Sequence, residues 1–143
     1  MKILFMCVAN SARSQLAEGL ARQIFPKAEI ESAGSHPGKL NPCAVTVMKE
    51  IGLDISKHDS KSVDQLSPRF IAELDYVITL CAEEVCPTLV SKAKKLHWPH
   101  PDPATKEPLS ESESLQRFRM ARDAIRARLE DFKRQTSERM SSE

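Results

Sequence analysis

Apolar residues along this chain form short uninterrupted runs that alternate with stripes at helical spacing. The runs predict buried strands at Lys2–Cys7 and Tyr76–Leu80, which are rich in aliphatic, β-branched and aromatic residues. Two weaker strand candidates are Glu29–Ala33, which ends at Gly34, and Lys95–Trp98. Strands that alternate with helices are typical of βαβ units, so we expect a mostly parallel sheet with both faces covered.

Helical spacing and capping signals predict the remaining elements. Asn41-Pro42 and Ser67-Pro68 each combine a capping side chain with a proline suited to the first helical position. Gly52 is the predicted stop of the first of these two helices. A last amphipathic helix is expected from Ser114 onward, with its arginines on a solvated outer face. Its end, from about residue 136 to 143, is expected to fray.

Length and composition favour a single domain that spans residues 1–143. The 21 basic and 20 acidic residues nearly cancel, which gives no reason to expect nucleic acid or an anionic membrane as a partner. No apolar run approaches the ~20 residues of a membrane span, and the N-terminus does not look like a signal peptide. Four cysteines then favour reduced thiols in a cytoplasmic protein, which we expect to be a monomer.

The segment from Cys7 to Ser14 is the most informative part of the chain. It follows the first predicted strand and leads into a helix predicted from Ser14 to about Ile24, which Pro26 closes. Backbone N–H groups of such a loop, together with the helix N-terminus, can hold a tetrahedral oxyanion and stabilise a thiolate. The predicted anion-binding residues are Val8, Ala9, Asn10, Ser11, Ala12, Arg13 and Ser14.

Cys7 and Arg13 can supply the two chemical functions that such a loop needs. Arg13 carries a planar fork of donors that can hold two oxyanion oxygens at once. Ser14 is placed so that its hydroxyl could reach back to the Cys7 sulfur. The alternative is a buried structural cysteine with a surface arginine nearby, since free cysteine is commonly a core residue.

Three reactive residues follow predicted strands and should meet at one edge of the sheet. Cys7 follows the first strand, Cys81 follows Tyr76–Leu80, and Asp102 lies shortly after Lys95–Trp98. In a parallel sheet these strand ends share the edge at which ligands bind. A carboxylic acid there could protonate a leaving oxygen, although an aspartate before proline can also be a turn residue.

The loop resembles the signature of the low-molecular-weight phosphatase superfamily, and Ser14-Gln15-Leu16-Ala17-Glu18-Gly19 is more similar to its arsenate reductase branch. This resemblance implies a three-layer α/β/α fold with a central four-stranded parallel sheet. It also implies that Asp102-Pro103 belongs to the general-acid loop and that Asn10 makes hydrogen bonds that hold the loop in shape. The alternative for Asn10 is a residue that only forms a turn. Glu18 and Ser32 could help to support the loop, with or without a cation.

The resemblance also implies a chemical role for two further cysteines. In thioredoxin-coupled arsenate reductases, the counterpart of Cys7 attacks arsenate, that of Cys81 then forms a disulfide with it as arsenite leaves, and that of Cys86 takes over the oxidised state. An external dithiol such as thioredoxin, glutaredoxin or a low-molecular-weight thiol would regenerate the enzyme, and no bound cofactor is expected. Phosphate or sulfate would act as an arsenate analogue. The Cys81–Cys86 interval is shorter than in the best-known members.

Two other functions are also compatible with these residues. A tyrosine phosphatase would use only Cys7, Arg13 and Asp102, and an oxyanion-binding or redox-sensing module would not turn over. Ala104 follows Asp102-Pro103 where the phosphatase branch favours an aromatic residue, which favours the reductase. Cys43 is expected to be structural and away from the active edge. The scattered histidines do not predict a metal site.

Overall fold

The structure of the chain is a computed structural model that describes residues 1–82, 89, 91–105 and 108–142, with residues 138–142 described as helix backbone only. In chain order the elements are β1 (Lys2–Cys7), α1 (Arg13–Ile24), β2 (Glu29–Gly34), α2 (Pro42–Lys49), a 3-10 turn (Val63–Gln65), α3 (Pro68–Ala72), β3 (Tyr76–Thr79), β4 (Lys94–His97) and α4 (Glu111–Ser142). Every predicted strand is present, and the ends differ by at most one residue.

The four strands form one parallel sheet in the order β2-β1-β3-β4. This central position of β1 explains its uninterrupted apolar run, because both of its faces are covered. Ile3 and Phe5 belong to the large core under α1, α2 and α4, while Leu4 and Met6 belong to a smaller core with Phe70 of α3. The predicted three-layer α/β/α fold with a four-stranded parallel sheet is therefore confirmed.

Two helices differ from their predicted lengths. Helix α2 ends at Lys49 rather than near Gly52, which lies in the following turn with a φ of 81°. Helix α4 begins at Glu111, because Ser110 and Glu113 form a capping box: the Glu113 N–H donates to Ser110 Oγ at 3.1 Å, and the Ser110 N–H donates to Glu113 Oε1 at 3.4 Å. Its backbone is helical as far as Ser142, within the segment expected to fray.

The arginines of α4 do not all lie on a solvated face, so that prediction is wrong for Arg122. Its side chain is buried between α4 and α2, where Nη1 donates to the Val47 carbonyl at 2.7 Å and to Glu50 Oε1 at 2.9 Å. Arg128 stacks over the Trp98 ring at 5.4 Å. These contacts attach α4 to the rest of the fold. Within the described residues, no helix is long and apolar enough to cross a membrane.

Candidate active site

The loop between β1 and α1 turns its carbonyl groups outward. The carbonyl oxygens of residues 8–11 each accept a hydrogen bond from a segment outside the loop. The donors are the His36 N–H to Val8 (2.9 Å), the Gly38 N–H to Ala9 (3.0 Å), the Ser60 hydroxyl to Asn10 (2.7 Å) and the Asn41 N–H to Ser11 (2.9 Å). In a trans peptide the next N–H points the opposite way from the carbonyl. The N–H groups of residues 9–12 therefore face away from these partners, toward the concave side of the loop, as an anion site requires.

Asn10 holds the shape of this loop, as the resemblance implied. It is fully buried and takes a left-handed backbone conformation with a φ of 50°, which asparagine tolerates better than most residues. Its Nδ2 donates to Ser14 Oγ at 2.8 Å and to Ser32 Oγ at 2.9 Å. Its Oδ1 accepts from the Lys61 N–H at 2.9 Å and from Gln15 Nε2 at 3.1 Å. The side chain thus joins the loop to α1, β2 and segment 58–61.

The Cys7 sulfur contacts the Ser14 hydroxyl, which is the contact that the sequence suggested. The Sγ–Oγ distance is 2.8 Å, and both residues are buried, Cys7 at the end of β1 and Ser14 at the start of α1. Cys7 is a free thiol. Either atom could be the donor in this contact, and the thiolate is the reactive form of a cysteine nucleophile.

Arg13 and Asp102 come together beside the carboxyl ends of β3 and β4. Arg13 Nη1 donates to the carbonyl of His100 at 2.9 Å and to that of Leu80 at 3.4 Å. Arg13 Nη2 lies 3.7 Å from Asp102 Oδ2, and the guanidinium is almost entirely buried while the carboxylate is half exposed. The two predicted catalytic residues of opposite charge therefore share one edge with the loop. Asp102 Oδ1 also accepts the Ala104 N–H at 3.0 Å, so this aspartate forms the turn before proline as well.

The cysteines of the described residues differ in their bonding state and in their surroundings. Cys81 is buried directly after the Leu80 carbonyl that Arg13 contacts, and it is disulfide-bonded. Cys7 and Cys43 are free thiols. Cys86 lies outside the described residues. Cys43 is partly buried and packs against the main core, and its N–H donates to the capping side chain of Asn41 at 2.9 Å.

A buried charge cluster around Glu18 is linked to the loop through Ser32 and Asn10. Glu18 is only 2% exposed and accepts a 2.7 Å hydrogen bond from Ser32 Oγ. Three basic side chains surround its carboxylate: His58 Nδ1 at 3.2 Å, Arg22 Nε at 3.3 Å and Lys61 Nζ at 3.8 Å. These partners compensate the desolvated carboxylate. The predicted support of the loop by Glu18 and Ser32 is therefore made through Asn10.

Two histidines near the site have pKa values below the ordinary one because burial disfavours their charged form. For His58 burial outweighs the opposing attraction of Glu18. For His100 burial outweighs the hydrogen bond that its Nδ1 donates to the Trp98 carbonyl at 2.8 Å. Both rings are thus held toward the neutral state. Among the described residues, no group of three or more His, Cys, Asp or Glu side chains could hold a metal ion.

Sequence reasoning missed the part of the site that lies between α1 and segment 58–61. Gln15 is fully buried, and its Nε2 donates to the Asp59 carbonyl at 3.1 Å and to the Asn10 carbonyl at 3.2 Å. Its Oε1 lies 3.0 Å from His58 Nδ1. The available signal was a glutamine directly before Leu16 and Ala17 of the predicted apolar stripe, because a polar side chain that is buried there needs hydrogen-bond partners.

Comparisons of the sequence agree with this geometry. The model of the family described as low molecular weight phosphotyrosine protein phosphatase matches residues 2–142. The chain is 42% identical over 134 residues to an arsenate reductase of Staphylococcus aureus (strain Newman), which covers 92% of this chain and 95% of that protein.

Solved structures show the same fold. A structure described as an arsenate reductase in the phosphate binding state has a TM-score of 0.73 at 30% identity, covering 92% of this chain and 96% of the other. A thioredoxin-dependent arsenate reductase of Corynebacterium glutamicum has a TM-score of 0.68 at 28% identity, covering 94% of this chain and 60% of that one.

Proposed function

Since the chain belongs to the low molecular weight phosphotyrosine protein phosphatase family, we propose that it reduces arsenate to arsenite through the Cys7 thiol. The observation that carries the proposal is the joint placement of two sulfurs. Cys7 sits in the anion loop against Ser14, and Cys81 follows the Leu80 carbonyl that Arg13 contacts. The relatives named arsenate reductase support the choice of substrate.

In the first step the Cys7 thiolate attacks arsenic while the loop N–H groups and Arg13 hold the remaining oxygens. One oxygen leaves as water and needs a proton, which Asp102 supplies as general acid. Its position 3.7 Å from the Arg13 guanidinium supports this role, because the acid then lies beside the bound anion. The product is a thiol–arsenate adduct on Cys7.

In the second step the Cys81 thiolate attacks the Cys7 sulfur. A Cys7–Cys81 disulfide forms, the sulfur–arsenic bond breaks, and its electron pair stays on arsenic, which leaves as arsenite. The Cys86 thiolate then attacks Cys81 and frees Cys7 as a thiolate. The disulfide-bonded state of Cys81 beside a free Cys7 is consistent with the end of this sequence.

An external dithiol must return the Cys81–Cys86 pair to thiols. The solved relative from Corynebacterium glutamicum is described as thioredoxin-dependent, which supports thioredoxin as the reductant. Glutaredoxin with a low-molecular-weight thiol is the other candidate. No bound cofactor is required, since both electrons come from protein thiols. The proposed setting is the reducing cytoplasm, with the protein acting as a monomer.

Phosphatase activity is the second candidate, and the pairing of Arg13 with Asp102 favours it as much as it favours reduction. Hydrolysis would use the same Cys7 attack, followed by water instead of Cys81. Ala104, partly buried against the main core, stands where an aromatic residue would stack on phosphotyrosine. The proposed phosphatase activity is therefore weak, and it survives the loss of Cys81.

The test measures arsenate-dependent NADPH oxidation with thioredoxin and its reductase, and separately with glutathione and glutaredoxin. We expect turnover with one of these systems, its loss in Cys81→Ser and in Cys86→Ser, and near-normal turnover in the matched control Cys43→Ser. Turnover that persists in both relay variants would contradict the relay. Aryl phosphate hydrolysis without any arsenite release would favour the phosphatase instead.

A further inference from the structure

We infer that Gln15 is a positioning residue for the Cys7 nucleophile. Together with segment 58–61 it fixes the amide of Asn10, so that Ser14 has to donate its hydroxyl proton to the Cys7 sulfur. The inference deepens the proposed function and rests on it, because it concerns the thiolate that attacks arsenate. Gln15 itself lies away from the reacting atoms and acts only through Asn10 and Ser14.

Backbone groups settle the orientation of the Gln15 amide. Two carbonyl oxygens, of Asn10 at 3.2 Å and of Asp59 at 3.1 Å, lie against one end of the side chain. A carbonyl only accepts hydrogen bonds, so the NH2 end of Gln15 has to face both of them. Its oxygen then faces His58 Nδ1, which lies 3.0 Å away and has to be the donor.

The orientation of the Asn10 amide follows in the same way. Its Oδ1 lies 2.9 Å from the backbone N–H of Lys61 and 3.1 Å from Gln15 Nε2, and both of these groups are donors. The Asn10 oxygen therefore has to stay on that side. Its NH2 group is left to face Ser14 Oγ and Ser32 Oγ, at 2.8 and 2.9 Å.

The hydrogen bonds that start at Gln15 and pass through Asn10 and Ser14 end at the Cys7 sulfur. Ser14 has one hydroxyl proton, and Asn10 already donates to its oxygen. The remaining partner of Ser14 is the Cys7 sulfur at 2.8 Å, so the proton has to point there. A donor aimed at sulfur stabilises the thiolate more than the thiol. The Ser32 hydroxyl has the same arrangement as that of Ser14: it accepts a hydrogen bond from Asn10 and donates its own proton to Glu18 Oε1 at 2.7 Å.

His58 closes the outer end of this chain of hydrogen bonds. Its Nδ1 contacts two acceptors, Gln15 Oε1 and Glu18 Oε2, so it carries a hydrogen in either charge state of the ring. The charged groups around the ring are Glu18 and Arg22 of α1, Glu31 of β2 and Lys61. Titration of His58 therefore leaves the direction of the chain unchanged. Gln15 is the more important link because it contacts Asn10 directly.

The experiment compares how fast iodoacetamide alkylates Cys7 in reduced protein at pH 6 and at pH 9.5, followed on the Cys7 peptide by mass spectrometry. Only the thiolate reacts, and the ratio of the two rates cancels any change in access to the sulfur. The variants are Gln15→Leu and Gln15→Met, which remove the amide with little change in size. Gln23→Leu, an exposed glutamine of the same helix, is the matched control.

We expect the ratio to fall about 3–10-fold in both Gln15 variants, the effect of one weakened hydrogen bond to a charged group, and to stay within about 1.5-fold in Gln23→Leu. His58→Phe should lower it less, because the Asn10 and Asp59 carbonyls still orient Gln15. An unchanged ratio in a folded Gln15 variant would overturn the inference, as would a larger fall in His58→Phe than in Gln15→Leu.

These outcomes separate the inference from the proposed function. Alkylation is measured without arsenate, so an unchanged ratio together with normal arsenite release by the unsubstituted protein would remove only the role of Gln15. The predicted fall in the ratio without arsenite release from any dithiol system would remove only the reductase. A purely structural role of Gln15 would lower the melting temperature and leave the ratio unchanged.

Discussion

Replacing Gly34 by alanine tests how closely the anion loop is packed against β2. Gly34 pairs with Cys7 across the parallel ladder, directly beside the loop. A Cβ at position 34 would lie 2.9 Å from the Asn10 nitrogen and 3.0 Å from the Cys7 oxygen, and still nearer to the Val8 oxygen. All three are backbone atoms, so no side chain can rotate away to make room.

The size of the effect follows from these distances. An ordinary contact begins at 3.4 Å, so the Asn10 nitrogen alone has to retreat by 3.4 minus 2.9, or 0.5 Å, and Val8 by more. Catalytic groups need to be held within about 0.5 Å of their productive positions, and a displacement of about 1 Å can cost roughly 100-fold in rate. We therefore expect Gly34→Ala to lower kcat/KM for arsenate by about 100-fold, and to destabilise the fold by about 1–3 kcal/mol.

The matched control is Gly38→Ala, also next to the loop. Its added Cβ would meet only the Ala9 Cβ, at 4.0 Å, so this variant should keep its activity within about twofold. The assay is steady-state arsenate reduction with the working dithiol system, together with thermal unfolding. A Gly34→Ala protein with unchanged kcat/KM would refute this prediction, because the loop would then keep its activity after its backbone has been displaced by about 0.5 Å.

Three further predictions concern other contacts. Hydrogen bonds from Arg119 and Arg122 lower the pKa of Glu50 to about 2, so its carboxylate stabilises the fold above about pH 4.5 and loses this effect as pH falls toward 2. Glu50→Gln should lower the melting temperature at pH 7 but not at pH 2, whereas the exposed control Glu130→Gln should show no such dependence on pH. A difference in melting temperature between Glu50→Gln and the unsubstituted protein that is the same at both pH values would contradict the prediction. Asn41→Ala removes the cap of α2 and should cost about 1 kcal/mol in calorimetry, while the arsenate KM stays within about twofold because the backbone bond to Ser11 remains; a tenfold rise in KM would be unexpected. Asp102→Asn keeps the turn to Ala104 but removes the acid, so kcat should fall roughly 10²–10⁴-fold in rapid-quench assays, and a wild-type kcat would exclude the general acid.

Local patterns were enough to predict the half of the site that is built from adjacent residues. Cys7, Asn10, Arg13 and Ser14 lie in one strand–loop–helix unit, whose geometry follows from a short apolar run and a helix start. The meeting of Asp102 with Arg13 also followed, because parallel strands deliver their ends to one edge.

The other half depends on contacts between distant segments, which periodicity does not encode. Nothing in the local pattern around His58 or Lys61 indicates that this segment packs against the loop at Asn10. Asn10 precedes His58 by 48 residues and Lys61 by 51 residues. Arg122 looked like an exposed helical arginine, yet it is buried because Glu50 and a carbonyl at the end of α2 accept its hydrogen bonds. The early start of α4 was detectable, since Ser110 and Glu113 have the spacing of a capping box.

The most direct test of the central claim is to map the disulfides by mass spectrometry after a single arsenate turnover of reduced protein without added reductant. The relay predicts a Cys81–Cys86 disulfide with a free Cys7 and one arsenite released per protein, and in Cys86→Ser it predicts a trapped Cys7–Cys81 disulfide. Four intact thiols after arsenate has been consumed would contradict it.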